Sequence, residues 1–509
     1  MPSARQWTLA ATVIGSSLTF VDATVVNVAL PALQQDLHAT IADVQWVIEA
    51  YALFLGSLIL VGGSLGDQFG RKRIFLQGVW LFTIASIACG LASSPRALIV
   101  ARAVQGIGAA LLVPGSLAII SATFDDATER GRAIGVWSGF SAMTSAIGPV
   151  VGGWLIANVS WRAVFFINAP LAVAVIALSV RFMNESRDDS RSTNVDWSGA
   201  ALAVLGLGAL VFALLEWPRL SNRPPIVFGL IGLGVMSLIA LVFVERRVPT
   251  PMLPLGLFAS RTFSAANLLT LFLYGALAVV LWLLPVDLIQ VQRYSATAAG
   301  AALLPFPLLM FVLSRWSGGL VGQVGSRLPL TVGPIVVAAG LALLARSGTS
   351  GSYWTTMFPA IAVIGLGMAV VVAPLTTTAM SAVEAQHAGV ASGVNNAVAR
   401  VAGLIAIAVL GVVLVRSFNA HIGAALDRLP LSTVARASVD RELPKLAGAE
   451  VDETLAADQR AAARRAIDDS FAQAFRLVMN VAAALALAAA AAGSFVQTSP
   501  LRPTALQKS

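Results

Sequence analysis

The chain has 509 residues, of which 57% are hydrophobic and 11% charged, against roughly 45–50% and 25% in an average soluble domain. So little charge cannot cover several soluble domains, and a mean hydropathy of +0.83 places most of the polypeptide against lipid or other helices. The net charge of +8 is scattered between apolar runs, which argues against nucleic acid as a partner, and one cysteine (Cys89) with three distant histidines (His38, His387, His421) excludes a disulfide framework and a clustered metal site.

A hydrocarbon core about 30 Å thick takes roughly 20 residues of helix. By that ruler the sequence predicts fourteen spans, at 8–32, 44–65, 74–93, 97–121, 132–158, 163–182, 198–217, 225–245, 264–290, 298–322, 328–346, 354–381, 390–416 and 471–496. The first is too long for a cleaved signal peptide's core and is read as a retained span. An even number places both termini on one side. The loops on that side hold Arg71, Lys72, Arg73, Arg130, Arg132, Arg187, Arg191, Arg246, Arg247, Arg261 and Arg327, with Arg5, Arg502 and Lys508 at the ends. The opposite short loops hold only Arg96, Arg162, Arg219, Arg223 and Arg293. The positive-inside rule then predicts a multi-pass protein of the inner, cytoplasmic membrane with both termini cytoplasmic. Trp7, Trp46, Trp161, Trp197, Trp217 and Trp354 fall at span ends, where an interfacial aromatic belt expects them.

Two stretches break the rhythm. The charged segment 184–196 suits a hinge between bundles, and 417–470 is a long hydrophilic segment on the outer side. Its part 451–476 has the composition of a helix running into the last span. The segment reads as a solvated spacer, with a partner surface, such as one for a periplasmic adaptor, as the alternative.

The run Gly63-Ser-Leu-Gly-Asp-Gln-Phe-Gly70-Arg-Lys72 recurs as Gly318-Gly-Leu-Val-Gly-Gln-Val-Gly325-Ser-Arg327, and Gly106-Ile-Gly108 before Pro114 recurs more loosely as Gly365-Leu-Gly367 before Pro374. The offset of about 255 to 260 residues implies duplicated halves around a central site. Spans 7 and 8 then read as an insertion. The expected architecture is an all-α polytopic membrane protein of two six-helix bundles plus two inserted helices: 1–183, 184–262 and 263–509.

Several motifs in order resemble the major facilitator superfamily, in its fourteen-helix drug:proton antiporter branch, over essentially the whole chain. Phe20 to Pro31, with Asp22, is similar to the branch's first-span motif. Gly66, Asp67, Gly70, Arg71 and Arg73 resemble its loop 2–3 gating motif, and Arg102 to Gly108, with Gln105, its fourth-span motif. Gly148, Pro149, Gly152 and Gly153 resemble the fifth-span antiporter motif, followed by a run from Trp161 through Asn168 to Pro170. The resemblance implies an exporter driven by inward proton flow, taking amphiphilic, often cationic small molecules as substrates, with protons and membrane lipids as its other partners and no cofactor. Asp287 and Glu49 depart from the branch's usual pattern.

The residues carry their own physical reading. A charge in mid-membrane costs about 2.5–3.5 kcal/mol on insertion scales and marks function by default. At 1.5 Å per residue, Asp22, Glu49 and Arg102 reach similar depth and are expected to form one polar cluster. Asp22 is then the principal proton carrier, with Glu49 and Asp287 as candidate second acids; Arg400 lies near mid-depth, and Arg315 snorkels to the inner interface. Arg71 and Arg73 are expected to pair with Asp125, Asp126 or Glu129, and the span 5 glycines to allow close helix approach. Gly62 to Gly66 formally fits a nucleophile elbow but ends a membrane helix, and no Walker-type phosphate loop is present, so neither an enzyme nor a primary pump is indicated. The alternatives are export of an endogenous lipid-like molecule or metabolite and, from another class, a channel or sensor.

Overall fold

The structure, a computed structural model, describes residues 4–124, 126–187, 196–220, 223–248, 251, 253–349, 351–383, 388–452 and 456–497. Asp125, Arg191, His387, Arg502 and Lys508, and the side chains of Arg130, Arg132, Arg219 and Arg315, lie outside this description.

The described residues fold as helices with no strand among them. The main helices are α1 (Ala4–Asp36), α2 (Ile41–Phe69), α3 (Arg71–Gly90), α4 (Pro95–Thr123), α5 (Ala127–Asn158), α6 (Ala163–Phe182), α7 (Trp197–Leu215), α8 (Pro224–Glu245), α9 (Arg261–Val291), α10 (Ala296–Ala302, then Pro305–Val324), α11 (Arg327–Leu344), α12 (Tyr353–Ser381), α13 (Ala388–Leu426) and α14 (Ala457–Ser494). Among the described residues thirteen helices are long and apolar enough to cross a membrane. The expected span 132–158 lies on α5, whose apolar stretch within that description is the shorter Ile147–Asn158.

Side-chain caps fix many of the starts. Thr40 and Asp43 form a reciprocal capping box at α2, and Ser94, Ser260 and Ser295 accept amide hydrogen bonds at α4, α9 and α10. Both described chain ends lie at one end of the bundle, the terminal end: Thr8 Oγ1 donates to Phe182 O at 3.1 Å, and Gln497 N to Thr262 Oγ1 at 3.4 Å. The opposite end is the distal end.

Helices α1–α6 pack together, as do α9–α14; α7 and α8 pair with each other, and α7 leans on both α2 and α13. α8 is covered by little else, and Phe228, Met236 and Phe243 are exposed on it, as a lipid-facing helix requires.

The internal repeat is visible in geometry. Gly70 and Gly325, 255 positions apart, both have positive φ, at 110° and 75°. A Cβ on Gly106 would meet Tyr51 O and one on Gly108 would meet Phe82 N; their counterparts Gly365 and Gly367 stand in the same way against Phe306 and Val337, each 255 positions beyond the first pair. Small residues at these sites let corresponding helices of the two halves approach closely.

The hydrophilic segment differs from a spacer. α13 runs ten residues beyond its expected end at 416 and α14 starts fourteen before 471, so both helices extend into the hydrophilic segment. Between them a short helix, Thr433–Glu442, leads into a turn, Leu443–Gly448, in which Leu446 (φ 54°), Ala447 and Gly448 are buried. This strap packs against α1, α2, α13 and α14. Its backbone carries the attachment: Gln34 Nε2 donates to Lys445 O at 3.1 Å, and Arg464 donates to Ala447 O, Ala449 O and Gln290 O at 2.7 to 3.0 Å. Sequence composition registers the solvated side chains of such a segment and not its carbonyls.

Candidate functional site

α1, α4 and α6 bring four motif residues, Asp22, Arg102, Gln105 and Asn168, to one point inside the first half. Asp22 is fully buried, and Arg102 Nη1 donates to its Oδ2 at 2.5 Å, with side-chain exposures of 0% and 2%. The other carboxylate oxygen accepts from Gln105 Nε2 at 2.8 Å and Asn168 Nδ2 at 3.3 Å. Arg102 also donates to Gln105 Oε1 and to Val47 O, and lies 4.3 Å from the centre of the Tyr51 ring. Asn168 follows the break at Ile167 that divides α6 and donates to Ser86 Oγ at 2.9 Å, tying α3 to the cluster. A buried charge pair needs further hydrogen bonds on its lone pairs and protons, and here Gln105, Asn168 and the Val47 carbonyl supply them to Asp22 Oδ1 and to Arg102 Nε and Nη1. Gln105 and Asn168 were visible within motifs, but depth arithmetic on charges alone did not select them; Ser86 and Tyr51 carry no sequence signal.

Glu49 stands outside this cluster, contrary to the expectation from depth. It is fully buried, and neither carboxylate oxygen has a hydrogen-bond partner among the described residues. Depth fixes one coordinate of a helical residue and leaves rotation about the axis free. Tyr51, which faces Arg102, lies about 200° around α2 from Glu49.

In the second half Asp287 is buried in a π-helical turn, Asp287–Val291, that follows Pro285. Proline removes a ladder hydrogen bond, and π-turns concentrate at functional positions. The Asp287 carboxylate accepts a long, 3.5 Å hydrogen bond from Gln292. Arg400 lies on α13 at the junction of the halves, its Cβ 3.4 Å from where a Cβ on Gly56 would stand. Asn395, also on α13, donates to Asn267 Oδ1 and Thr270 Oγ1 of α9.

The gating motif closes locally. Arg71 bonds Asp67 through two nitrogens at 2.9 Å. Gly70 sits so close to Glu185 that a Cβ would fall 2.7 Å from its carboxyl carbon. Glu185 accepts from the amides of Lys72 (3.0 Å) and Arg73 (3.2 Å), so a carboxylate from the segment after α6 caps α3. Gly66 is buried at the end of α2 and Arg73 is exposed. The expected pairing with residues after α4 is not formed among the described residues: Glu129 bonds Arg5 instead, at 3.5 Å. A capping carboxylate 113 residues away satisfies the α3 amides, and Asp67 one turn back holds Arg71.

The span 5 glycines lie at the junction. Gly148 and Gly152 face Thr24 and Val25 of α1, while Gly153 and Pro149 meet Ala296 and Gly300 of α10 across the halves. Further distal contacts are Gln290 Nε2 to Gln34 Oε1 at 2.8 Å and Gln45 Nε2 to Ile407 O at 3.3 Å. The distal ends of the halves are thus closed against each other.

A duplicated helical bundle with a buried charge cluster in one half and small-residue contacts between halves is the architecture of a secondary transporter. The chain belongs to the Major Facilitator Superfamily, whose family model matches residues 12–407. It is 35% identical to the multidrug resistance protein Stp of Mycobacterium tuberculosis (strain CDC 1551 / Oshkosh) over 84% of this chain and 79% of that one. It is 32% identical to the tetracenomycin C resistance and export protein of Streptomyces glaucescens, over 97% and 92%. The puromycin resistance protein pur8 of Streptomyces alboniger is 36% identical over 80% and 82%. Among solved structures, a bacterial homolog of the human lysosomal transporter Spinster, in an inward-facing and unoccupied conformation, superposes with a TM-score of 0.66 at 18% identity, over 98% of this chain and all of that one, a likeness of fold.

Proposed function

We propose that the protein exports amphiphilic, often cationic small molecules, antibiotics among them, in exchange for protons, with the proton gradient in place of any cofactor. The observation that carries the coupling is the Asp22–Arg102 salt bridge, whose side chains are both buried inside the first half. A proton on Asp22 would release Arg102 and loosen the links from α1 to α4 and α6, so protonation and helix rearrangement are one event. The named functions of the relatives support the substrate class. An endogenous lipid-like molecule or metabolite is the second substrate reading.

In this reading the basic terminal end is cytoplasmic, the closed distal ends make this the inward-facing state, and the two six-helix bodies 1–183 and 263–509 rock about α2, α5, α10 and α13, with 184–262 as linker and inserted pair. The distal strap serves closure, and it is also the surface a periplasmic adaptor would meet. At about 180 mV one inward proton yields roughly 4 kcal/mol, enough for a thousandfold gradient of a neutral substrate. The test is efflux of a compound panel from cells with and without a proton uncoupler, repeated in vesicles with Asp22→Asn. Uncoupler-sensitive efflux that becomes independent of the pH gradient in the variant is expected; uncoupler-insensitive efflux refutes the antiport reading.

A further inference from the structure

Glu49 is a buried acid that the Asp22 cluster does not use. On α2 the residues Gln45, Glu49, Leu53, Gly56 and Leu60 fall within about 40° of one line at 100° per residue, with Glu49 at its centre. Four of these five positions have neighbours on α13, across the junction, and one of the four also meets the inserted helix α7. Gln45 donates to Ile407 O, Leu53 packs with Leu404 and Ala408 of α13 and Leu207 and Val211 of α7, Gly56 faces Arg400, and Leu60 faces Gly393. Glu49 therefore sits in the seam between the halves, with both oxygens unpartnered.

The distal end of the seam is hollow. A cavity of about 520 Å³ opens there, lined by Thr40, Ile41 and Gln45 of the first half, Gly411 and Val415 of α13, and Leu446 of the strap. Gln45, which lines it, is one helical turn from Glu49.

We propose that Glu49 is a proton-operated latch of the distal closure, loaded from the outer compartment. This rests on the inward-facing, antiport reading above and adds a second proton site with a different task. A carboxylate sealed in this seam without a hydrogen-bond donor is compatible with the neutral acid and not with the anion. When the distal ends of α2 and α13 part, Glu49 meets water and ionises; closing them again requires a proton from the outer side. No nearby charge removes this requirement. The α7 helix carries no charged residue, and Glu216 just beyond it accepts from Trp46 Nε1. On α13, Arg400 faces Gly56, two turns deeper, and no salt bridge joins it to Glu49 among the described residues. Arg102 and Asp22 are committed to each other on the opposite face of α2. In the strap, Asp440 is held by Arg436 and Lys445 by Glu442.

The sign follows from proton counting. The closed state binds one proton more than the open state, so outer acidity favours closure and the open-to-closed ratio rises about tenfold per pH unit once the exposed acid ionises. An acidic exterior would then drive the return to the inward-facing state after substrate has left.

The test uses nitroxide labels on Leu91→Cys and Trp354→Cys, exposed positions (70% and 68%) at the distal ends of the two halves, in a Cys89→Ala background. Double electron–electron resonance of the full chain in nanodiscs is recorded from pH 5 to 9. A longer-distance population should grow with pH in the parent, stay absent at every pH in Glu49→Gln, and return in Glu49→Asp. The same pH dependence in Glu49→Gln as in the parent overturns the latch, as does a parent that shows none. Loss of the response in Asp22→Asn alone also overturns it and leaves the antiport reading intact. Efflux that ignores an uncoupler while the Glu49-dependent response persists would refute antiport and leave the latch standing.

Discussion

Removing one charge of the Asp22–Arg102 pair should be far more damaging than removing both. The partners are 0% and 2% exposed, so solvent screening is negligible and the surviving charge would be stranded. Breaking a buried pair from one side costs about 3–5 kcal/mol. In Asp22→Asn, Arg102 would keep Val47 O, Gln105 Oε1 and the Tyr51 ring, three neutral partners, and lose its only counterion in the cluster. In Arg102→Gln, the Asp22 carboxylate would keep the amides of Gln105 and Asn168. Each single variant should therefore lose about 3–5 kcal/mol, whereas Asp22→Asn with Arg102→Gln leaves no charge stranded and should lose clearly less than either single variant. The non-additivity should reach about 3 kcal/mol or more, well above the 0.3–0.5 kcal/mol scatter of independent sites. Equilibrium unfolding of the purified chain in mixed SDS and detergent micelles, followed by tryptophan fluorescence, measures all four corners of the cycle. Single losses that add to within about 0.5 kcal/mol would refute the reasoning, because the two groups would then not be depending on each other.

Two further outcomes follow from the geometry. Gly153→Leu places a side chain against the Ala296 backbone across the junction, so it should hold the distal ends of α5 and α10 apart; the Leu91–Trp354 distance distribution of the labelled chain should shift to longer values at acid pH, where the parent stays short. Glu185→Ala removes the acceptor of two amides at the start of α3 and should lower stability by about 0.5–2 kcal/mol, read in the same micelle titration, with faster amide exchange at Lys72 and Arg73 by hydrogen exchange.

How much of this was legible in the sequence depends on whether a feature varies along a helix axis or around it. Span positions, the shared depth of Asp22 and Arg102, and the 255-residue repeat are axial facts, and counting residues recovers them. Placing Glu49 with Asp22 and Arg102 failed because it is an azimuthal question: which face of α2 meets α4 is decided by Gly106 pressing on Tyr51 O, a contact no single sequence displays. The gating motif failed differently. Arg71 and Arg73 invite a search for acids on the next loop, but the α3 amides, rather than the charged side chains, found the distant acid, Glu185. Backbone groups have no letters in a sequence, and the strap, held by carbonyls of Lys445, Ala447 and Ala449, was missed for the same reason.

The contrast between the two closures of the molecule bears on how it can cycle. Asp22 and Arg102 are bonded to each other and to Gln105 and Asn168 inside one bundle, so their link ties α1, α4 and α6 together until a proton on Asp22 breaks it. The seam between bundles is built from the opposite materials: glycines at 153 and 300, two glutamines meeting at 2.8 Å, and a carboxylate with nothing bound to it. Glycine contacts and neutral amide pairs are individually weak and can be remade with water, since a typical net hydrogen bond contributes only about 0.5–1.5 kcal/mol. A junction meant to be permanent would have no use for an unpaired acid at its centre. One that must open every cycle can use it, because the acid makes the strength of the closure depend on a proton that only an open seam can exchange.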